Sequence, residues 1–164
     1  MILRHRHHAG FERQGERVEI RLGSDERELV IDLAEQFRSV VAADDDPDLR
    51  RLYPTAYPGD IDRDADYSTL VHNDLVSAQL EAIDVVVGTA RDRSITSREL
   101  ASWMSMFNSL RLLIGTRLDV GEDDLFDPEG DDAPSRALLA WLGYLLEEAV
   151  GVANEFLSAA QTEA

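Results

Sequence analysis

The amino-acid sequence predicts a mainly α-helical fold, a single-domain bundle of about four helices with a small N-terminal β-hairpin as a further option. Two observations predict this fold class. In four separate segments, apolar residues recur at steps of three and four, which places them on one face of a helix. Runs rich in Gly, Pro and Asp separate these segments, and such runs end helices. A length of 164 residues suits one domain with its own core.

The segment of residues 96–120 is the most strongly patterned and is predicted to be the central helix. Thr96 and Glu99 have the spacing of a capping box, in which each side chain accepts a hydrogen bond from the other residue's backbone N–H. Gly115 follows the last apolar residue and is predicted to end the helix in a left-handed conformation. The stripe of this helix consists of Leu100, Trp103, Met104, Phe107, Leu110, Arg111 and Ile114.

Arg111 is the one charged residue on this stripe, and Asn108 is its neighbour one turn earlier. A buried guanidinium is costly unless it pairs with a carboxylate or with carbonyl oxygens. We therefore interpret Arg111 as an internal polar tie that holds the connection around residues 52–57, or a loop, onto the bundle. The alternative, in which Asn108 and Arg111 bind a partner, stays open.

Residues 1–23 are predicted to form an arm or a hairpin. Residues 17–22 alternate between polar and apolar side chains, as a half-buried strand does, and residues 11–13 can pair with them. The arm carries five Arg against three Glu and is mildly basic. Its histidines, His5, His7 and His8, are interpreted as part of a frayed start rather than as a metal site.

The helical domain is predicted to span residues 24–160, with residues 161–164 as a tail. Its first helix covers about residues 25–43, with Ser24 as the N-cap. The second covers about 67–91, a connection follows at 91–94, and the last helix covers about 134–160. The predicted buried stripe of the first helix is Leu29, Leu33, Phe37, Val40 and Val41.

Two connections carry candidate binding residues. Tyr53, Pro54 and Tyr57 lie in the first, where the tyrosines are interpreted as anchors onto the bundle, with a ligand ledge as the alternative. The second connection, residues 121–132, contains seven acidic side chains. It is the best candidate for docking a basic partner. The acids proposed for this contact are Glu122, Asp123, Asp124 and Asp127.

The composition excludes several function classes. Without Cys, the chain has no disulfide, thiolate nucleophile or Cys-ligated metal. The sequence has no glycine-rich phosphate loop, no Ser in a nucleophile-elbow setting and no Glu-x-x-His pair. We therefore predict no catalytic residue, no metal and no cofactor, and a protein that is not an enzyme. The absence of a long apolar run predicts a cytoplasmic protein that does not contact a membrane.

The formal net charge is −17, and all 16 basic residues are Arg. This balance argues against general nucleic-acid binding, which requires clustered cations to neutralise phosphates. It suits a protein whose partner presents a basic surface.

Two motifs carry a resemblance to a known family. The first is Leu52-Tyr53-Pro54-x-x-Tyr57, and the second is Trp103 followed by the run of residues 108–118, which includes Asn108, Arg111, Gly115 and Arg117. Together they resemble an actinobacterial family of unknown function, some members of which are described as oxidative stress transcriptional regulators (AosR-like). The resemblance implies a small, helical, cytoplasmic and non-enzymatic protein with a role in transcriptional control. Redox sensing through a cysteine pair cannot operate here, because the chain has no Cys.

Three hypotheses about function follow. The first is a regulatory module that docks a basic protein partner, such as a sigma factor or an RNA polymerase subunit, through an acidic surface. The second is direct DNA binding through the Arg-bearing N-terminal arm, with a homodimer as one form. The third is a small-molecule-binding bundle with a pocket around Tyr53, Trp103 and Arg111.

Overall fold

The computed structural model describes residues 10–53, 61–119 and 128–163, with the side chains of residues 61–70 left out. Over these residues the chain forms four α-helices, a short 3-10 helix and a three-stranded antiparallel sheet. In chain order the elements are β1 (Phe11–Gln14), β2 (Arg17–Ile20), α1 (Ser24–Ala43), the 3-10 helix (Pro47–Arg51), α2 (Ile61–Thr89), β3 (Ser94–Thr96), α3 (Ser97–Arg117) and α4 (Ala133–Thr162). The mainly α fold class with a small N-terminal hairpin is confirmed.

The sheet begins with the predicted hairpin. Phe11 of β1 pairs with Ile20 of β2, and Gly15 in the turn has a φ of +62°, a conformation that suits glycine. β3 then pairs with the other edge of β2, with Ile95 opposite Val18. The sequence predicts only a connection at residues 91–94, because three residues are too few to show a strand's alternation. Pairing with β2 gives this segment its strand conformation.

α3 is the central helix, as predicted. It packs against α2, α4, the 3-10 helix and the sheet, while α1 packs mainly on α2. Trp103 and Phe107 of α3 form edge-to-face contacts with ring centroids 5.8 Å apart, and Phe11 of β1 meets Trp103 at 5.5 Å. Because Phe11, Val18 and Ile20 are buried in the same core, the strands of the N-terminal arm are part of the helical bundle's interior.

The predicted capping box of α3 is confirmed. The Thr96 hydroxyl oxygen accepts a hydrogen bond from the Glu99 N–H at 3.1 Å, and the Glu99 carboxylate accepts one from the Thr96 N–H at 2.8 Å. The predicted end at Gly115 is wrong, because the helix continues to Arg117. The left-handed residue is Asp119, with a φ of 50°, and its N–H donates to the Thr116 carbonyl at 3.1 Å.

The first residue of α1 and the set of residues that it buries differ from the prediction. Gly23, not Ser24, is the N-cap, and its N–H donates to the Glu26 carboxylate at 2.9 Å. The fully buried residues are Val30, Ala34, Phe37 and Val41, whereas the predicted Leu29 is 41% exposed. α1 rests on α2 with one narrow face, and this leaves the side bearing Leu29, Leu33 and Val40 incompletely covered.

None of the described helices is both long enough and apolar enough to cross a membrane.

Candidate partner-binding site

Arg117, in the last turn of α3, brings acidic side chains together at one end of the bundle. Its Nη2 lies 2.6 Å from Oδ2 of Asp46, and its Nε lies 3.7 Å from Oδ2 of Asp48. Asp46 also accepts a hydrogen bond from the Asp48 N–H at 2.8 Å, which caps the 3-10 helix. The Asp48 N–H, and after it the Arg117 guanidinium, hold the pKa of Asp46 below its ordinary value. Arg117 therefore fixes the loop of residues 44–48 against the end of α3.

This end of the bundle, which we call the acidic end, carries a surplus of negative charge. Asp131 and Asp132 belong to it because they precede the first turn of α4, where Ser135 lines the same cavity as Arg117. The described acids of the acidic end are Asp44, Asp45, Asp46, Asp48, Asp119, Asp131 and Asp132. The arginines there are Arg50, Arg51, Arg117 and Arg136. Seven acids against four arginines leave three negative charges in excess.

An apolar cavity of about 310 Å³ opens beside Arg117, between α1 and α4 and above α3. It exists because α1 packs mainly on α2 while α4 packs on α3, which leaves the space between α1 and α4 unfilled. Polar atoms enter its lining from Gln36, Arg117 and Ser135. The main apolar lining residues are Leu33, Phe37, Val40, Leu113, Ile114 and Leu138.

Tyr53 lies at the acidic end and attaches the connection after the 3-10 helix to α2. Its ring meets the His72 ring edge-on at 4.7 Å between centroids, and His72 Nε2 lies 2.6 Å from Oδ2 of Asp44. The Tyr53 hydroxyl is buried without a hydrogen-bond partner among the described residues. Burial, with a smaller effect from the charge of Asp44, raises the pKa of Tyr53. The ring contact holds this connection on α2, and the choice between an anchor and a ligand ledge stays open.

Trp103 is fully buried in the core. Its indole N–H donates to the Thr89 hydroxyl at 2.9 Å, and its ring is enclosed by Phe11 and Phe107. The structure therefore does not bring Trp103 together with Tyr53 and Arg111 into one pocket. Tyr53 contacts His72 of α2, whereas Arg111 lies against Gly143 of α4.

Arg111 has no charged partner among the described residues. Its Nε–H is shielded from water and finds no acceptor there, and no described carboxylate lies within ion-pair distance. Among the described residues, the guanidinium lies on Gly143 and bonds to neither Leu52 nor Tyr53. Residues 54–57 and 120–127 lie outside the described residues, so the polar tie stays a prediction. Asn108 is exposed, and Gly115 is buried inside α3.

The family described as Domain of unknown function (DUF2017) matches residues 7–153. The chain belongs to this family. The match confirms the predicted membership of an uncharacterised family, and it covers both the acidic end and the cavity of this DUF2017 protein. No curated protein and no solved structure matches the chain. The function of the DUF2017 chain is therefore argued from its site.

Several predicted site residues of the DUF2017 chain lie outside the described residues. These are Pro54, Tyr57, Glu122, Asp123, Asp124 and Asp127, together with His5, His7 and His8. In the described part of the predicted arm, the arginines bond within the molecule. Arg13 lies over the Phe156 ring at 4.4 Å, Arg17 donates to Ser94, and Arg21 pairs with Glu19. Among the described side chains, no group of three or more His, Asp or Glu residues is placed to hold a metal ion.

Arg27 has a structural role in this DUF2017 protein that was not predicted from the sequence. Its guanidinium donates to four backbone carbonyls at 2.7–2.9 Å. The acceptors are the carbonyl oxygens of Ile20, Leu22, Ala90 and Asp92. The sequence does contain an indication of this role. Arg27 lies near the start of α1, where a cation interacts unfavourably with the helix dipole, so its presence there suggests a specific bond to another part of the chain. Arg27 joins the sheet, the start of α1 and the turn after α2.

Proposed function

We propose that this DUF2017 protein is a non-enzymatic regulatory module that binds a basic amphipathic helix of a protein partner in transcriptional control. The observation that carries the proposal is the apolar cavity of about 310 Å³ that opens directly beside the acidic end. A helix with apolar residues on one face and Arg or Lys at its flank matches both features at once.

The cavity supports the apolar half of this recognition. Leu33 and Val40 of α1 face Leu138 of α4 across a floor supplied by α3, so the walls of the cavity are two helices. Helix-in-groove recognition places anchors of the partner helix, spaced three or four residues apart, between two such walls. The side chains of Leu33, Val40 and Leu138 are half-buried and remain available for this contact.

The acidic end supports the recognition of the basic residues of the partner helix. Arg117 neutralises Asp46 and Asp48 only in part, while Asp45 is exposed and makes no bond in the described structure. By sequence, residues 122–127 add four acids to the segment that follows Asp119. Clustered charge of one sign steers a partner of the opposite sign and sets the salt dependence of binding.

The link to transcription rests on the two sequence motifs that resemble AosR-like regulators of actinobacteria. A cytoplasmic sigma factor, or RNA polymerase itself, is therefore the first partner to test. The absence of Cys leaves docking, rather than thiol chemistry, as the means by which this chain would act.

The test is a pull-down of purified RNA polymerase core and of its sigma factors by the full chain, at about 0.05 and 0.3 M salt. We expect binding that weakens about tenfold or more at the higher salt, because surface charges contribute to it. Val40→Glu, which places a charge in the cavity, should abolish binding. Leu75→Glu is the matched control, since Leu75 is 40% exposed on α2 and does not line the cavity.

Two results would overturn the proposal. One is the absence of binding to all of these proteins, and the other is binding that Val40→Glu leaves intact. A gel-shift measurement tests the DNA-binding alternative with the full chain and a chain that lacks residues 1–9. The deletion stops there because Phe11 and Val18 belong to the core, so removing residues 1–23 would disrupt the fold. DNA binding that the deletion abolishes would favour the N-terminal arm.

A further inference from the structure

α4 carries a second apolar face besides the one in the core. Its core face contains Leu142, Leu145, Ala149 and Val152, all buried. The second face consists of Leu139, Gly143, Leu146, Val150, Ala153 and Leu157. These residues follow one another at alternating steps of four and three, which is the heptad spacing of helices that pair with another helix. Val150 is 38% exposed and Leu157 is 63% exposed, whereas the other four residues are half-buried, and Leu146 and Ala153 also pack against the core. The face is therefore open to water mainly toward the C-terminal half of α4.

Arg111 of α3 lies on this face at Gly143, the second of its six positions. A Cβ atom added to Gly143 would lie 3.3 Å from Arg111 Nε and 3.5 Å from its Cζ, so the guanidinium packs closely on the glycine. Glycine at this position gives Arg111 room to lie on the surface of α4. The position puts a cation one helical turn from both Leu139 and Leu146.

Arg111 differs from every other described arginine. Arg51 and Arg98 also lack a hydrogen bond or ion pair in the described structure, but both are exposed and water solvates them. Arg111 is half-buried, and its Nε is shielded from water with no acceptor. In a chain with 33 acidic residues, Arg111 is the one shielded arginine among the described residues that has no carboxylate beside it. A guanidinium in an apolar surface is a frequent anchor of protein–protein interfaces.

The same face also carries an unpaired acid. Glu147 lies on the outer flank of the second face, four residues after Gly143, and it is exposed without a hydrogen bond or ion pair in the described structure. Its companions on this flank are Ala140, Asn154 and Gln161, all neutral. A molecule with a net charge of −17 therefore has one negative charge on this flank, so two copies can approach here with little repulsion.

We propose that the second face of α4 is the interface of a homodimer, in which a second copy's α4 packs on it in the antiparallel direction. If the two-fold axis passes at the level of residue 145, Gly143 of one copy lies opposite residue 147 of the other. Arg111 then pairs with Glu147 of the second copy, and the symmetry forms this ion pair twice. At this register the exposed residues Val150 and Leu157 of one copy lie at the level of Ala140 and Ala133 of the other. Neither Leu138 nor any other residue that lines the cavity belongs to the second face, so failure of the dimer and failure of partner binding can be told apart.

Sedimentation velocity of the full chain, from about 1 to 100 μM, tests the proposal. We expect a dimer, and we expect Val150→Glu and Leu157→Glu each to raise the dimer dissociation constant at least tenfold. Both positions are exposed in the single chain, so both variants should fold, as checked by circular dichroism. Leu75→Glu, at an exposed leucine of α2, is the matched control and should leave the dissociation constant unchanged.

A charge exchange tests the ion pair itself. Glu147→Arg places two cations together in the dimer and should weaken it, as should Arg111→Glu. The double variant restores opposite charges across the interface and should recover most of the dimer. A wild-type chain that stays monomeric at all concentrations would overturn the proposal, and so would a dimer that tolerates Val150→Glu and Leu157→Glu. A double variant weaker than both single variants would rule out the antiparallel pairing of Arg111 with Glu147.

Discussion

The indole N–H of Trp103 donates a hydrogen bond to the hydroxyl oxygen of Thr89 at 2.9 Å, and this bond joins α3 to the last turn of α2. The Thr89 hydroxyl in turn donates to the Val85 carbonyl at 2.7 Å. Trp103 is fully buried, so Thr89 supplies the acceptor that its one polar atom requires.

Thr89→Val keeps the shape of the side chain and removes this acceptor. We expect the free energy of unfolding to fall by about 1–3 kcal/mol, because a buried donor is left without a partner. Urea unfolding measures the change. Thr162→Val is the matched control, since the Thr162 hydroxyl makes the same bond to the carbonyl four residues earlier but at an exposed position. Equal losses in both variants would mean that the indole bond adds nothing to stability.

Arg27→Lys should destabilise the protein although it keeps the charge. A single ammonium group cannot reproduce the fork of guanidinium N–H groups that meets four carbonyls, so some acceptors lose their donor. We expect a loss of about 2–4 kcal/mol in urea unfolding. Arg98→Lys makes the same replacement at an exposed arginine and should change stability by less than about 0.5 kcal/mol. A comparable effect at both sites would contradict the role assigned to Arg27.

Two helix glycines can be replaced with a gain in stability. Gly88 of α2 and Gly151 of α4 are exposed, and a Cβ at either position would meet no described side chain or backbone atom within 4 Å. Gly88→Ala and Gly151→Ala should each stabilise the protein by about 0.5–1 kcal/mol, because alanine has less backbone freedom to lose. Gly15→Ala should do the opposite, since Gly15 has a φ of +62°. The same sign for all three changes in thermal unfolding would refute this account.

Asp46 should make the fold sensitive to acid. Its pKa in the folded protein lies below the ordinary value of 3.8 because the Asp48 N–H and Arg117 favour the carboxylate. Stability from these bonds is therefore present above pH 3.8 and is lost as the pH falls through the folded pKa. Urea unfolding between about pH 6 and 3 should show a shallower pH dependence in Asp46→Asn than in the wild type. Asp45→Asn, at the neighbouring acid that makes no bond in the described structure, is the control and should keep the pH dependence of the wild type. The same pH dependence in all three proteins would exclude a contribution of Asp46 to acid sensitivity.

Features encoded over a few residues were predictable from the sequence. The capping box of Thr96 and Glu99 depends on two residues three positions apart, and its hydrogen bonds form as expected. The hairpin of residues 11–20 follows from alternation and a glycine turn, which are likewise local. Four helices follow from apolar spacing, because part of each stripe is buried against a neighbour.

Features that depend on distant parts of the chain were not predictable. β3 is a strand only because β2 lies beside it, and the bonds of Arg27 reach carbonyls that are up to 65 positions away. α3 continues past Gly115, and both Gly115 and Thr116 are buried against the rest of the bundle, a packing that the local sequence does not show. At the candidate site, only the acids of residues 121–132 were proposed for docking, and neither the part played by Asp46 and Asp48 nor the cavity was predicted. It arises from the way α1 and α4 flank α3 without packing on each other, which no spacing along the chain encodes.

The sheet has a consequence for the order of folding. β2 completes its pairing only with residues of β3, and Arg17 and Ser94 are 77 positions apart. β1 is held by the last helix, since the Arg13 guanidinium donates to the Glu155 carbonyl 142 positions later. During synthesis the first strands therefore leave the ribosome long before the segments that fix them. We expect refolding slower than that of a helical bundle of similar length with only neighbouring contacts, because closing such long loops costs entropy before native contacts compensate for it.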